Sequence, residues 1–540
     1  MTRIRTRIRI GAALPLNFLI GGLARDAIME VELKLLLDPA AVKAVQHHPL
    51  LKQLALDRPH VRRQSDVYFD TPDLQLRAAD AGLRVRRVGG QAIQTLKAGG
   101  SVRGGLHSRN EWELPVADER PDLAAMREAV GPDTGLGKLL QQVGRGATLV
   151  PVFTVESART VWMLRLEQGD EVECVLDQGH IATDGGRVPL CELELELVRG
   201  NPVHLYDLAL QLLADVPMRI GTLSKAARGY LLHAGQAGQA ASAVGAAVPA
   251  LSKRMTVEQA MREIGAGCLA QIQANEAGVV EAGDAESVHQ MRVGLRRLRS
   301  ALALFRDAAP LPEALQPELD WLSGQLGDAR DWEVLGDSTL PRLEAPPALA
   351  AAEALGAAVD EWAHRLHRDA ATAICSPRYT SLMLQLARWL LDANWRAALP
   401  EENAARLDQP LPKFARKQLH HGQRRLLKRG HALHRAGGRR RHRARIAAKK
   451  ARYAAEFFQL LYPKRRLRRY VAALERLQDE LGRLNDAAVA DRLLQQLQDA
   501  QPELAAPAAF VRGYLAASLD SDAAGLRKRW KKFTQARPPC

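Results

Sequence analysis

The hydrophobic pattern of the chain changes its period once, and this change predicts a two-part architecture. From Met29 to about Gly235, apolar and polar residues alternate in short runs separated by Gly and Pro, which predicts an antiparallel β domain with a few helices. Beyond Leu251, Ala, Leu, Arg and Glu recur at helical spacing, which predicts an all-α domain. With 540 residues, the chain is long enough for both domains. The strand-like runs include Met29–Leu37, Leu83–Val88, Asn110–Val116, Glu171–Leu176 and Cys191–Val198.

The same pattern predicts the domain boundaries. Residues 1–28 combine alternating arginines with an apolar stretch that is too short to span a bilayer. Because the strand pattern begins directly after Met29, we expect Met29 to be the natural start and the preceding residues to be an extension. Residues 29–233 then form the β domain, the Ala/Gly-rich residues 234–252 a linker, and residues 253–535 the helical domain.

Positive charge is concentrated in one segment of the helical half. The chain carries a net charge of +15, and Lys413–Arg469 alone holds 21 lysines and arginines against one acid, Glu456. Such an excess favours a polyanionic partner, namely nucleic acid, an anionic membrane or polyphosphate.

Part of this segment belongs to an internal repeat. Two sets of basic residues share the offsets 0, 3, 7 and 10, which places each set within about 80° of arc on a helix. Each set is followed by an LxxxLGxxxD pattern, at Leu322–Asp331 and at Leu477–Asp486. Two matched copies predict a pseudo-twofold helical domain with paired basic helices. The two sets are His289, Arg292, Arg296 and Arg299, and His442, Arg445, Lys449 and Arg452.

The β half contains acidic strands that a packed core does not explain. In Glu30-Val-Glu32-Leu-Lys34 the three charged residues share one strand face, and CELELEL at 191–197 adds a second acidic strand. Like charges side by side repel unless a cation lies between them. The same domain places cations on other strands, so a cavity for a divalent metal and a chain of phosphates is the interpretation that accounts for both charges.

These motifs resemble the CYTH superfamily of triphosphate tunnel metalloenzymes, and the run Lys97-Ala-Gly-Gly with GGLH at 104–107 resembles bacterial inorganic triphosphatases of CYTH–CHAD arrangement. The helical half resembles a CHAD domain through VHQMRVGLRRLR, LGDARD, HRARIAAKKARYAAEFF and LGRLND. The other CYTH-like motifs are Tyr68–Pro72, Gly82–Arg86, Leu176–Gly179, Cys191–Leu197 and Ser224–Tyr230.

The CYTH resemblance implies an eight-stranded antiparallel barrel whose interior is a tunnel for triphosphate and one or two divalent metals, Mg²⁺ or Mn²⁺. The implied metal residues are Glu30, Glu32, Asp177, Glu194 and Glu196. The implied substrate-binding residues are Lys34, Arg62, Arg84, Arg86, Lys97, Arg159, Lys225 and Arg228. Because Arg63 follows Arg62, the register at that position stays open, and Glu111 and Glu192 are acidic without an implied role.

The CHAD resemblance implies a module that binds long-chain inorganic polyphosphate through the two basic sets. The residues agree with this, since polyphosphate has charge but no bases, and its binder needs no aromatic stacking platforms. Aromatic residues make up only 5% of the chain, and Arg416–Lys450 contains none. Nucleic acid is therefore disfavoured as a partner, although contacts to duplex phosphates stay open.

Together these features predict a metal-dependent inorganic triphosphatase that cleaves tripolyphosphate to pyrophosphate and phosphate, joined to a polyphosphate-binding domain. The alternatives are another triphosphate chemistry (thiamine triphosphatase, nucleotide triphosphatase or adenylate cyclase) and a polyphosphate-binding protein without activity. The five cysteines include no CxxC pair, which favours a reducing cytoplasm. We expect no membrane partner, and association with polyphosphate granules is a further expectation.

Overall fold

The computed structural model describes most of the chain beyond its first segment. It covers residues 28–88, 90–146, 148–236, 242–392, 396–397, 399–431, 433, 437–521 and 523–540. The expectation for residues 1–28 therefore lies, apart from Ile28, outside the described residues. The chain divides into two compact units. The barrel unit takes in residues up to 239 together with Ser376–Arg388, and the helical unit consists of Ala240–Cys375 and Trp389–Cys540.

Nine described strands form one antiparallel sheet in the order β5-β4-β3-β2-β6-β7-β8-β1-β9. The sheet closes because Ile28–Leu33 of β1 also pairs with β5, while the end of β1 pairs with β9. This closed eight-stranded barrel confirms the predicted fold class of the N-terminal half. The strands are β1 (Ile28–Leu37), β2 (His60–Asp70), β3 (Ala81–Val88), β4 (Gln91–Arg103), β5 (Leu106–Val116), β6 (Val150–Arg165), β7 (Glu171–Thr183), β8 (Gly186–Arg199) and β9 (Met218–Ile220).

Helices cover the outside of the barrel. Outward Leu83, Leu96 and Trp112 pack against Met126 and Leu140 of two helices. These surfaces are apolar because strand residues alternate between the inner and outer faces. The helices of this unit are α1 (Val42–Gln46), α2 (Pro49–Leu54), α3 (Gln75–Ala78), α4 (Leu123–Val130), α5 (Gly135–Gly146), α6 (Val203–Leu213), α7 (Lys225–His233) and most of α13 (Pro377–Leu391).

Aromatic side chains fill one end of the barrel interior beneath α7. The Tyr68 and Phe153 rings stack with centroids 4.4 Å apart, and Tyr230 of α7 meets Phe153 edge-on at 5.2 Å. Tyr68 and Phe153 have the strand parity of the inward charged residues described below. A Cβ at Gly229 would lie only 2.2 Å from the Phe153 ring, so glycine permits this close approach. The interior is thus apolar at this end.

A buried carboxylate ties α7 to the end of β2. Asp70 has no solvent exposure and accepts hydrogen bonds from the backbone N–H groups of Leu76 and Arg77, each at 2.9 Å. It also accepts one from the Tyr230 hydroxyl at 2.8 Å. With the Thr71 N–H, which donates to Asp70 at 2.7 Å, four donors compensate the cost of burying this carboxylate. Asp70 therefore holds α3 and α7 on the barrel.

The helical unit confirms the prediction that the C-terminal half is helical, while its pseudo-twofold symmetry stays a prediction. Its helix α8 begins at Val257, and the N-terminus of this helix carries a capping box formed by Thr256 and Gln259. The helices are α8 (Val257–Gln273), α9 (Glu276–Ala282), α10 (Ala285–Phe305), α11 (Leu315–Val334), α12 (Pro346–Cys375), α14 (Glu401–Leu407), α15 (Leu411–Gly430), α16 (Gly438–Phe457), α17 (Lys464–Ala500), α18 (Ala505–Ser521) and α19 (Ala523–Thr534).

The segment Ser376–Arg388, which follows the first helices of the helical unit in the sequence, packs with the barrel. Thr380 of α13 donates a hydrogen bond to the Met218 carbonyl at 2.8 Å, and Arg388 Nε lies 2.5 Å from Asp207 Oδ1. The expected domain boundaries themselves stay predictions. Among the helices that the structure describes, none is both long and apolar enough to cross a membrane.

Candidate functional site

The charged residues of β1 lie on the inner face of the barrel. Glu30, Glu32 and Lys34 are all less than 10% exposed. Lys97 of β4 forms an ion pair with Glu30, although β5 lies between their strands. Side chains that point into a barrel converge, whereas those on its outside diverge. A contact that crosses an intervening strand therefore places Glu30 and Lys97 on the inner face.

Lys34 joins β1 to the acidic strand β8. Its Nζ lies 2.8 Å from Glu32 Oε1 and also forms an ion pair with Glu194, the residue opposite Lys34 in the β1–β8 register. Burial alone would lower the pKa of Lys34, but the carboxylates of Glu194 and Glu32 outweigh it and raise this pKa well above its usual value. Lys34 is therefore a permanent cation at neutral pH.

Three acids, one of them Glu194, surround the ammonium group of Lys225 at the start of α7. Lys225 Nζ lies 2.8 Å from Asp177, 2.5 Å from Glu192 and 2.7 Å from Glu194. Burial would lower the pKa of Lys225, but these carboxylates outweigh it, and the net pKa is raised. Ser224 begins α7 by accepting a hydrogen bond from the Ala227 N–H, which fixes where Lys225 enters the barrel.

Arg159 of β6 also binds two of these acids, Asp177 and Glu194. It donates hydrogen bonds to both carboxylate oxygens of Asp177, at 2.8 and 2.5 Å, and one to Glu194 at 3.0 Å. Burial raises the pKa of Asp177, but Lys225 and Arg159 more than reverse this effect, so that the net pKa is lowered. Burial also raises the pKa of Glu194, but Lys225 and Lys34 outweigh it and lower this pKa, so Asp177 and Glu194 are both ionised at neutral pH.

These acids have the chemistry of a divalent-metal site. Asp177, Glu192 and Glu194 each offer an oxygen, and the three oxygens lie within 4.8 Å of one another. Carboxylate oxygens are the ligands that hard cations such as Mg²⁺ prefer, so the residues fit a metal ion. Glu192, to which the sequence assigned no role, belongs to this group, whereas Glu30 and Glu32 do not.

The remaining predicted metal residue, Glu196, lies in a row of acids across three strands. Its Cα is paired with Glu32 of β1 on one side and with Glu173 of β7 on the other. Directly paired residues of neighbouring strands point to the same face. Glu32, Glu173 and Glu196 therefore face the interior together, and a cation at this level would find several oxygen ligands.

A second group of charges lines the opposite side of the interior. Asp66 of β2 accepts two hydrogen bonds from Arg86, at 2.7 and 2.9 Å, and one from Arg84 at 3.3 Å. Burial raises the pKa of Asp66, but the two arginines reverse this and hold it well below its usual range. Lys97 adds a contact to Glu111 at 3.4 Å. Asp66 was not predicted as a site residue from the sequence. Its even spacing from Arg62 and Tyr68 on the same strand would have placed it on their face.

The ambiguous pair of arginines on β2 has a definite register. Arg62 is the direct partner of Arg159 in the β2–β6 pairing, whereas Arg63 is opposite Ala158. Arg62 thus shares the inner face with Arg159. On α7, Arg228 forms an ion pair with Glu192. The structure therefore places all eight predicted substrate-binding cations on the interior-facing positions of the strands or at α7.

In the helical unit, the two predicted basic sets lie on α10 and α16. Arg296 and Arg445, together with Lys449, have no carboxylate oxygen within 4 Å among the described residues. Burial, then Arg296, Arg445 and Arg292, lower the pKa of Lys449 to about 6, with Asp486 opposing them. Arg292, Arg296, Arg445 and Lys449 are therefore close enough for their charges to repel one another, and a bound anion would relieve that repulsion.

Other members of the two sets have partners in the protein. Arg292 donates to the Gly327 carbonyl at 2.6 Å and to Asp331 at 3.0 Å, both within the predicted LGDARD motif. Arg452 pairs with Glu456 at 3.1 Å, and Arg299 pairs with Asp320. His442 Nδ1 lies 3.2 Å from Asn485 Oδ1. Burial and then Arg330 lower the pKa of His289, which favours its neutral form.

Comparisons with known proteins agree with this division. A CYTH domain model matches residues 29–230, and a CHAD domain model matches residues 263–495. An inorganic triphosphatase from Haemophilus influenzae is 32% identical over 210 residues, which cover 39% of this chain and 56% of that protein. The chain thus spans about half the length of this curated relative.

A solved structure resembles the helical half. The crystal structure of the CHAD domain from the plant Ricinus communis is 42% identical, with a TM-score of 0.51. The match covers 55% of this chain and 99% of that domain. The chain therefore carries a CYTH domain at residues 29–230 followed by a CHAD domain at residues 263–495.

Proposed function

We propose that the barrel unit is a metal-dependent triphosphatase that hydrolyses inorganic tripolyphosphate to pyrophosphate and phosphate. The observation that carries the proposal is the arrangement of buried acids and buried cations on the single inner face of a closed barrel. A packed core gains little from such charges, because their desolvation is costly. A triphosphate with its counter-cation needs both kinds of group. The similarity to an inorganic triphosphatase supports the same substrate class.

The proposed division of labour follows from the positions of the side chains. The acids around Lys225, with Glu30, Glu32 and Glu196, would hold Mg²⁺ or Mn²⁺, which when bound offsets charge on the phosphoryl oxygens and acidifies water. Arg84, Arg86 and Lys97 would bind phosphoryl oxygens along one side of the interior. An interior carboxylate would orient the attacking water and accept its proton. No covalent intermediate is proposed.

The test is phosphate release from tripolyphosphate, ATP and thiamine triphosphate, each with Mg²⁺ and with Mn²⁺. We expect tripolyphosphate to give the highest kcat/KM and chelation by EDTA to abolish turnover. A strong preference for a nucleotide would contradict the proposed substrate. Absence of turnover with every divalent metal would instead favour a barrel that binds polyphosphate without cleaving it.

We further propose that the helical unit binds long-chain inorganic polyphosphate at the cations of α10 and α16. The supporting observation is the cluster of Arg296, Arg445 and Lys449, which have no carboxylate within 4 Å in the described part of the chain. Binding of polyphosphate to the full chain, measured by calorimetry at fixed salt, tests it. Loss of charge by Arg296→Ser should weaken this binding, whereas equal affinity would contradict the assignment. We propose that the protein acts in the cytoplasm, in association with polyphosphate granules.

A further inference from the structure

The cations Arg296, Arg445 and Lys449, here called the α10–α16 cluster, account for only part of the positive charge of the helical half. Most of that charge lies in the segment Lys413–Arg469. Helix α15 carries seven lysines and arginines and no acid. Its buried side is apolar, with Ala415, Leu419 and Leu426 in the core. The cations therefore lie on its outer faces, where like charges three or four residues apart destabilise a helix. A function outside the fold is needed to explain this accumulation.

The outer face of α15 lines two adjoining cavities. The first has a volume of about 700 Å³, and every residue that lines it is a histidine, lysine or arginine. The second has a volume of about 960 Å³ and shares Arg424 with the first. Together they form one groove, here called the α15 groove. Its cationic lining includes Arg416, His421, Arg424, Arg425, Lys428, Arg429, Arg440, Arg443 and Arg466.

The charges in the first cavity are not compensated within the protein. In the part of the chain that the structure describes, no carboxylate oxygen lies within 4 Å of Arg424, Arg425 or Lys428. Burial, followed by Arg425 and Arg443, lowers the pKa of Arg429. These cations repel one another, and a bound anion would relieve that repulsion.

Lys450 of α16 connects the groove to the proposed polyphosphate site. Its pKa is lowered by burial and then by Arg425 and Arg429 of α15, and also by Arg299 of α10 and by Arg306, which directly follows that helix. Lys450 follows Lys449 directly in the sequence. Lys450 therefore lies within electrostatic range of cations on α15 and of cations at the C-terminal end of α10.

We propose that the α15 groove is a second polyanion-binding segment, which holds the continuation of a long inorganic polyphosphate chain bound at Arg296, Arg445 and Lys449. The inference rests on the proposed polyphosphate binding of the helical unit. The first cavity has no Phe, Tyr or Trp among its lining residues, and Tyr462 lines the second cavity, so cations far outnumber the rings on which nucleic-acid bases could stack. A polymer that presents only phosphates matches this lining.

Chain length distinguishes this groove from the first site. A polyphosphate that fills only the α10–α16 cluster gains nothing from α15, whereas a longer chain releases additional counterions there. The matched experiment compares the full chain with a triple variant, Arg424→Ser, Arg425→Ser and Lys428→Ser. The control variant removes three exposed arginines outside the groove, by Arg87→Ser, Arg342→Ser and Arg368→Ser.

The dissociation constants are measured for chains of about 10 and about 100 phosphates at several salt concentrations. We expect the groove variant to bind the long chain at least tenfold more weakly, and its slope of log K against log salt to fall by about 2. Short-chain affinity should change less than twofold, and the control should bind both lengths as the unmodified protein does.

The outcomes separate the two proposals. If the unmodified protein binds neither length, polyphosphate binding by the helical unit is wrong. If it binds both and the groove variant retains the full long-chain affinity, only the groove is wrong. Equal weakening in the control also overturns the groove, because general charge would explain it. Single-stranded DNA that displaces long polyphosphate at equal phosphate concentration would overturn the choice of ligand.

Discussion

Arg159 and Asp177 are direct partners across the β6–β7 strand pair, and the guanidinium donates to both oxygens of the carboxylate, at 2.8 and 2.5 Å. Asp177 has no solvent exposure. A bidentate pair of this kind fixes the direction of both side chains. It therefore positions Asp177 against Glu192 and Glu194, the other acids of the candidate metal group.

Removing Arg159 should destabilise the barrel unit. Arg159→Met leaves a buried carboxylate with fewer donors, and breaking one side of a buried ion pair costs about 3–5 kcal/mol. We expect the urea midpoint of the barrel transition to fall. The double variant Arg159→Met with Asp177→Asn should recover part of the loss, because it no longer buries an uncompensated charge. Additive effects of the two substitutions would contradict the coupling.

Glu32 should be required for turnover but not for folding. Glu32→Gln keeps the size of the side chain and removes its negative charge beside Lys34, so we expect metal-dependent kcat to fall at least a hundredfold with the circular dichroism spectrum unchanged. The matched control is Glu156→Gln, since the Glu156 side chain is 59% exposed on β6 of the same barrel. Near-normal turnover of Glu32→Gln would remove this residue from the site.

Polyphosphate binding should take up a proton at Lys449. The pKa of this lysine is lowered to about 6 in the free protein, chiefly by burial and by Arg296. A bound phosphate chain would raise this pKa, so affinity is highest below about pH 6 and falls as the pH rises towards the pKa of the bound state. The loss is at most tenfold per pH unit.

Lys449→Arg supplies the control for that pH dependence. Arginine stays charged at every working pH, so this variant should bind polyphosphate with a shallower pH profile between pH 6 and 8 than the unmodified protein. Calorimetry in two buffers of different ionisation enthalpy would detect the proton directly. Identical profiles for the two proteins would show that Lys449 does not titrate on binding.

Tyr230→Phe should weaken the barrel without changing its chemistry. The substitution removes the hydroxyl that donates to buried Asp70 at 2.8 Å, and a hydrogen bond to a charged group contributes about 1.5–3 kcal/mol. We expect a lower melting temperature and an unchanged KM for tripolyphosphate, since Tyr230 packs among the aromatic rings at the end of the interior. A large rise in KM would show that this end of the barrel contacts substrate.

The sequence pattern predicted the strands and the faces of their side chains, because the alternation of side chains along a strand is a local property. The run Met29–Leu37 lies within β1, which spans Ile28–Leu37, and the alternation of Glu30, Glu32 and Lys34 with apolar residues correctly indicated a shared face. The alternation of residues does not predict which strands pair with each other. Asp66 gained its role only because β2 pairs with β3 and so receives Arg84 and Arg86.

The grouping of the acids shows the same limit. The resemblance implied Asp177 and Glu194 as metal residues, together with Glu30, Glu32 and Glu196, and left Glu192 without a role. The structure groups Glu192 with Asp177 and Glu194 around Lys225. Strand register and the entry of α7 into the barrel decide this grouping. Both depend on contacts between residues far apart in the chain.

The sequence by itself determined the two domain types, the inner face of each charged strand and the excess of cations in the helical half. These follow from periodicity and charge, which short stretches of chain carry. Tertiary structure alone decided which charges meet. Closure of β1 on β5 places Lys97 against Glu30, and the packing of α15 beside α16 gathers their cations into a groove. Such contacts arise from packing of distant segments, which no local pattern specifies.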